Sequence, residues 1–168
     1  LVLVLGALFT VYQFLSTQEQ ARVQHAFEMV EMWERPEYQS AQRAVRDRID
    51  ALTARYAAIL GDQPTPNARA VAMRKIGQEA MTSEGGSQPV AQFREEFDRV
   101  VYFLNRIAFC VDSRLCSREV IDAYFGDYAR SFWSYFASYV EAQRKTVSPT
   151  YGKPIETYVL GGVKPAAP

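Results

Sequence analysis

The sequence predicts an all-α protein, in which an N-terminal transmembrane helix continues into a four- to five-helix bundle and an extended Pro/Gly-rich C-terminal tail follows. Apolar residues recur three and four positions apart through most of the chain, which is the spacing of one helix face. An uncharged apolar run opens the chain, and proline and glycine accumulate at its end. These patterns indicate a membrane anchor at 1–15, a helical bundle domain at 16–145 and a tail at 146–168.

The apolar run predicts a membrane anchor that is retained. No charged residue occurs before Glu19. Fifteen helical residues cover about 22 Å of a hydrocarbon core about 30 Å thick, and the first residue is Leu, so we expect further residues upstream. No cleavage site of small residues follows, which argues against a signal peptide, and a buried core helix is the alternative. The anchoring residues are Leu1, Val2, Leu3, Val4, Leu5, Leu8, Phe9, Val11, Tyr12, Phe14 and Leu15.

Helical spacing continues after the anchor. Pro36 ends the first helix because proline cannot continue a helical hydrogen-bond ladder. Ser117 is placed to cap the last helix through its side-chain oxygen. The charged face of the second helix is predicted to be solvated, and loops rich in proline and glycine are predicted at 61–67 and 84–89. The predicted helices are 16–34, 37–60, 68–81, 90–110 and 117–145.

The composition indicates one globular domain without a strongly charged partner. The chain has 168 residues, of which 48% are hydrophobic, and its 19 Lys and Arg balance its 19 Asp and Glu. That length fits one domain, and the neutral balance argues against nucleic acid, which requires a basic face. Cys110 and Cys116 are too few for a disulfide scaffold. They are either reduced thiols, as in a cytoplasmic protein, or a disulfide that pins the turn between two helices.

Residues with catalytic or metal-binding chemistry are sparse. His25, Glu28 and Glu31 share one helix face, but a di-iron bundle needs Glu-x-x-His motifs on two helices, and no second histidine occurs. We therefore interpret this face as solvated and expect no metal. A serine or cysteine nucleophile would need a nearby base, and no phosphate-binding glycine loop is present. The sequence predicts neither an enzyme nor a cofactor.

Aromatic residues are concentrated in the last predicted helix. Eight lie between Tyr124 and Tyr139, which is more than one helix face can hold. Either this is a core helix contacted from two directions, or one edge meets a partner, since interfaces favour aromatic side chains. The second interpretation predicts partner docking through Tyr128, Trp133, Tyr135, Phe136 and Tyr139.

Three segments carry a resemblance to a known family. They read WERPEY at 33–38, FLNRIA at 103–108 and VIDAYFGDYARSFW at 120–133. In these the chain resembles a bacterial domain-of-unknown-function family of single-span membrane proteins with a small cytoplasmic helical domain. The resemblance covers about residues 1–145 and rests on packing motifs. It implies a fold and an anchor in the bacterial inner membrane, and it carries over no catalytic residue.

These observations favour a non-catalytic, membrane-anchored accessory or assembly subunit. It would dock on a larger membrane complex through the aromatic helix, the span and the tail, with membrane lipid and other integral membrane subunits as partners. Anchoring raises the effective concentration of such weak contacts. The alternative is a membrane-tethered sensor that binds a small apolar molecule. A cavity of roughly several hundred Å³ beside Trp133 would favour the sensor, and an exposed aromatic strip would favour docking.

Overall fold

The computed structural model describes residues 2–61 and 64–161. These residues form helices and connecting turns without any β-strand, so the all-α prediction is confirmed. A short π-helical stretch, Asp122–Gly126, joins two of the α-helices. The α-helices are α1 (Val2–Trp33), α2 (Pro36–Leu60), α3 (Pro66–Ala80), α4 (Val90–Asp112), α5 (Arg118–Ile121), α6 (Asp127–Gln143) and α7 (Lys153–Gly161).

The predicted membrane anchor is wrong. Among the residues that the structure describes, no helix is both long enough and apolar enough to cross a membrane. α1 has 32 residues, but its apolar start gives way at Leu15 to the polar sequence STQEQ at 16–20. The single-pass inner-membrane location with a cytoplasmic domain is overturned by the same finding. Leu1 and the side chains of 2–9 and 11 lie outside the described residues.

α4 lies at the centre of the bundle and packs against α2 and α7. Its buried apolar residues lie within about half of its circumference, whereas Tyr102 and Phe109 on the other side are exposed. α3 bridges α2 and α6. It starts at Pro66, two residues before the predicted boundary, because Thr65 Oγ1 accepts a hydrogen bond from the Ala68 N–H at 3.2 Å. The buried residues of α4 are Phe93, Phe97, Val100, Val101, Phe103, Leu104, Ile107, Ala108 and Val111.

A buried arginine holds the loop between α3 and α4 against α2. Arg48 is 1% exposed and donates hydrogen bonds to the carbonyl oxygens of Ser83 at 2.8 Å and Gln88 at 2.7 Å. Beside it, the Asp47 carboxylate accepts the Ser87 N–H at 2.6 Å. Hydrogen bonding from the Ser87 side chain, and then from this backbone N–H, lowers the pKa of the Asp47 carboxyl. The charged residues of α2 that were predicted to be solvated are exposed, whereas Arg48, which lies outside that set, is buried and satisfies the backbone of the loop. The exposed set is Arg43, Arg46, Asp47, Asp50 and Arg55.

The last predicted helix begins differently from the expectation. α5, the π-helical stretch and α6 follow one another without a break, and the π-helical turns insert extra backbone between them. Ser117 makes no side-chain capping bond to α5. Its backbone N–H instead donates to the carbonyl oxygen of Arg22 at 3.0 Å, which ties this corner to α1.

The predicted extended tail is partly wrong. α7 packs against α4 and α6, and its residues Ile155 and Tyr158 are buried. The chain reaches α7 through a turn at Gly152, where φ is +64° and an added Cβ would meet Val140 Cγ1 at 2.2 Å. Ile155 and Tyr158 therefore complete the core, whereas Leu160 at the end of α7 is 55% exposed. The rest of the predicted tail, 162–168, lies outside the described residues.

Candidate functional site

Two of the five predicted docking residues are core residues. Phe136 is fully buried and Trp133 is 7% exposed. Phe136 packs against the rings of Phe97 and Phe132, with centroids 4.8 and 4.9 Å apart. The structure therefore places Trp133 and Phe136 in the core and not on an exposed docking surface. The interpretation of the segment as a core helix contacted from two directions accounts for both residues.

The other three predicted docking residues, Tyr128, Tyr135 and Tyr139, are partly buried. Tyr139 lines a hollow of about 340 Å³ between α4 and the turn before α7. In the same hollow the Tyr151 hydroxyl donates to Asp98 Oδ1 at 2.7 Å. Tyr128 and Tyr135 face α2 instead. The structure therefore distributes the predicted set over the core and two separate hollows, and it does not assemble one aromatic strip.

A cleft of about 280 Å³ separates α2 from α6. Tyr128 and Tyr135 line it on the α6 side. Trp133, beside which a cavity would have favoured the sensor alternative, does not line it. Both apolar and polar side chains line the cleft, because the α2 residues that face it come from neighbouring turns of a partly charged helix face. The lining is completed by Gln42, Val45, Arg46, Ile49, Asp50, Ser131 and Phe132.

The hydroxyl of Tyr128 is the unusual group at this cleft. It is inaccessible to solvent and has no hydrogen-bond partner among the described residues. Burial raises the pKa of Tyr128 well above its ordinary value, and the positive charge of Arg46 opposes that shift. A buried polar group without a partner is costly, so a ligand atom that accepted this hydrogen bond would relieve the cost.

α1 carries the most exposed apolar surface. Tyr12 is 71% exposed and Leu15 60%, although both are large apolar side chains. With Val23 and Phe27 they follow one face of the helix at steps of three, eight and four, and we call these four residues the docking stripe. A shallow trough of about 830 Å³ runs along this face. The face extends about 22 Å, which matches four turns of a second helix.

The docking stripe ends on the body of the bundle. Phe27 meets Tyr124 of the π-helical stretch edge to face, with ring centroids 6.1 Å apart, and both side chains stay about half exposed. In the sequence Tyr124 is one of the aromatic residues of the last predicted helix, and no pattern there connects it with α1. The periodicity of Phe27 with Val23 was a signal for this face, but only the packed structure brings Tyr124 beside it.

Cys110 and Cys116 form a disulfide at the turn between α4 and α5. The sequence left open whether they are bridged, and the turn brings their Cα atoms to 5.2 Å, within reach of a bond. Neither sulfur is a free thiol, so neither is available as a nucleophile or metal ligand.

His25 lies on the outside of α1. Its Nδ1 is 3.1 Å from Glu28 Oε2, and both side chains are about half exposed. In the part of the chain that the structure describes, no group of three His, Cys, Asp or Glu residues is close enough to hold a metal ion. The arrangement fits the interpretation of His25, Glu28 and Glu31 as a solvated helix face.

Comparison with known proteins identifies the family. The chain belongs to the family described as Domain of unknown function (DUF4760), whose model matches residues 1–160. The resemblance inferred from the packing motifs is confirmed at this level, that of an uncharacterised domain family. Neither the curated proteins nor the solved structures gave a significant match to the chain.

Proposed function

We propose that this DUF4760 domain is a non-catalytic docking protein, in which α1 binds an amphipathic helix of a partner protein. The observation that carries the proposal is the docking stripe, since Tyr12 and Leu15 leave most of their surface in solvent. Exposed apolar side chains that share one helix face are typical of interaction sites. Apolar residues at helical spacing fit a second helix laid alongside.

The construction of the bundle supports this role. Ala26 and Met29, near the end of α1, are buried against the rest of the protein, whereas the exposed residues lie earlier in the helix. The bundle therefore holds α1 near the C-terminal end of the helix, and residues 12–20 of the same helix are exposed. The polar residues between the apolar ones, among them Ser16 and Gln20, supply hydrogen-bond groups that give such an interface specificity.

Side-chain chemistry supports a non-catalytic role. The sulfurs of Cys110 and Cys116 are bonded to each other, and His25 lies on an exposed helix face with Glu28 as its only side-chain partner in the described structure. Nucleophilic catalysis requires a nucleophile and a base within hydrogen-bond reach of each other. These residues provide no such pair.

Site-specific photo-cross-linking tests the proposal. A benzophenone amino acid at Leu15 or Val23 is expected to give an adduct of the same mass in cells, because both positions face the partner helix. The matched control is Ala21, which is exposed on the opposite side of α1, and it is expected to give no adduct. Substitution Leu15→Asp should abolish cross-linking from Val23 without changing the melting temperature. Equal adducts from both faces, or none from the docking stripe, would contradict the proposal.

A further inference from the structure

The cleft between α2 and α6 has the features of a ligand site that the docking proposal does not use. Its volume of about 280 Å³ lies just below the range for drug-sized ligands, so it suits a smaller molecule. Val45, Ile49 and Phe132 provide an apolar lining for part of such a molecule. The polar side chains around this apolar lining determine which polar groups the rest of the ligand must carry.

Two oppositely charged side chains at the cleft have no partner within the described residues. Arg46 and Asp50 are exposed, and within the described residues neither makes a hydrogen bond or an ion pair. They lie four positions apart on α2, a spacing at which opposite charges often pair, yet they do not pair here. By contrast, Arg130 and Asp127, which lie three positions apart on α6, form an ion pair at 2.7 Å. A ligand with both a negative and a positive group would match Arg46 and Asp50.

The hydroxyl of Tyr128 adds a third point of recognition. It is buried beside the cleft without a partner, and Arg46 is near enough for its charge to act on the tyrosine. A phenol donates one hydrogen bond, and a guanidinium can bind a carboxylate with two parallel bonds. A small shift of the cleft lining would uncover the Tyr128 hydroxyl, and one carboxylate could then accept hydrogen bonds from Arg46 and Tyr128 together.

We propose that this cleft binds an apolar α-amino acid in its zwitterionic form. The carboxylate binds Arg46 and Tyr128, and the ammonium group binds Asp50. The apolar side chain of the ligand packs against Val45, Ile49 and Phe132. A simple fatty acid or an amine would satisfy only one of the two charges, and a sugar would satisfy neither.

Titration calorimetry at pH 7 tests the proposal with four probes on the whole chain. L-Leucine and L-phenylalanine carry both charges, 4-methylpentanoate lacks the ammonium group, and 3-methylbutylamine lacks the carboxylate. We expect saturable binding of an amino acid and binding at least about tenfold weaker for each truncated probe, as expected when a charged hydrogen bond is lost. The absence of saturable binding for both amino acids at millimolar concentration would overturn the proposal.

Three variants assign the contacts. Arg46→Met should weaken leucine at least about tenfold and leave 3-methylbutylamine unchanged, because that probe has no carboxylate. Asp50→Asn should weaken leucine and leave 4-methylpentanoate unchanged. Tyr128→Phe should weaken leucine and 4-methylpentanoate alike, without loss of stability, because it removes a buried hydroxyl that has no partner.

The matched control is Arg43→Met, which removes an exposed α2 arginine that does not line the cleft. It should leave the binding of all four probes unchanged. If Arg46→Met bound leucine as tightly as the unmodified chain, or if 4-methylpentanoate bound as tightly as leucine, the zwitterion assignment would be wrong. Arg46 and Asp50 are exposed, so melting curves of these variants should match that of the unmodified chain.

Discussion

The guanidinium carbon of Arg48 lies 4.7 Å from the centroid of the Phe93 ring, in the contact between α2 and α4. One face of the cation meets the aromatic ring, and its N–H groups reach the carbonyl oxygens of Ser83 and Gln88. This one side chain therefore connects two helices with the loop that joins α3 to α4.

Arg48→Met should destabilise the protein by about 3 kcal/mol, because it removes two charge-assisted hydrogen bonds to loop carbonyls. Arg48→Lys should not restore stability, since a single ammonium lacks the planar fork that reaches both oxygens. Chemical denaturation measures both effects. The exposed Arg43→Met serves as the control and should change the unfolding free energy by less than about 0.5 kcal/mol. Equal stability of Arg48→Met and Arg43→Met would contradict this role.

Gly77→Ala should destabilise the protein by about 3 kcal/mol or abolish folding. An added Cβ at Gly77 would lie 1.9 Å from the backbone carbonyl oxygen of Tyr135, where α3 crosses α6. Backbone on both sides cannot yield as a flexible side chain does. The control is Gly161→Ala, where a Cβ would meet nothing within 4 Å, and thermal melting should show no loss there. A normal melting temperature for Gly77→Ala would mean that the two helices separate easily.

Reduction of the Cys110–Cys116 disulfide should lower stability by about 2 kcal/mol, because a bridge across six residues restricts the unfolded chain. The exchange of the Ser117 amide hydrogen should also accelerate, since the bridged turn positions that group on the Arg22 carbonyl. Denaturation with and without reductant, together with hydrogen exchange, measures both. In the double variant Cys110→Ser, Cys116→Ala, reductant should have no effect. Identical unfolding curves for the oxidised and the reduced protein would refute the prediction.

Stability should fall steeply above about pH 10, the pKa of an unfolded tyrosine. Burial is the main cause that raises the pKa of Tyr128, Tyr151 and Tyr158, and the acceptors Asp98 and Asp122 add to it for the last two. The unfolded chain then loses protons that the folded chain keeps, so unfolding is favoured as pH rises. Each such tyrosine contributes a slope of about 1.4 kcal/mol per pH unit.

Denaturation midpoints between neutral and alkaline pH test this slope. The triple variant in which Tyr128, Tyr151 and Tyr158 become Phe should flatten it, whereas Tyr12→Phe should not, because that residue is 71% exposed. An equally steep loss in the triple variant would place the alkaline transition on other groups.

The amino-acid sequence determined the helices themselves. Apolar residues three and four positions apart located α1, α2, α3 and α4 to within a few residues, because helix periodicity is a local property of the chain. Pro36 marked the boundary between α1 and α2, since proline excludes itself from a helix interior. The prediction of a membrane span from the apolar run was wrong, because the apolar character of a segment does not indicate which neighbour will cover it.

Only the tertiary structure decided what each apolar or charged face meets. Phe136 and Trp133 look like interface residues in sequence, yet α6 buries them against neighbouring helices. Arg48 looks like one more surface charge, yet loop carbonyls distant along the chain surround it. Ile155 and Tyr158 belong to a segment that looks like a free tail in sequence, yet α7 buries both of them in the core. Such outcomes depend on contacts between residues far apart in the chain, which local periodicity does not encode.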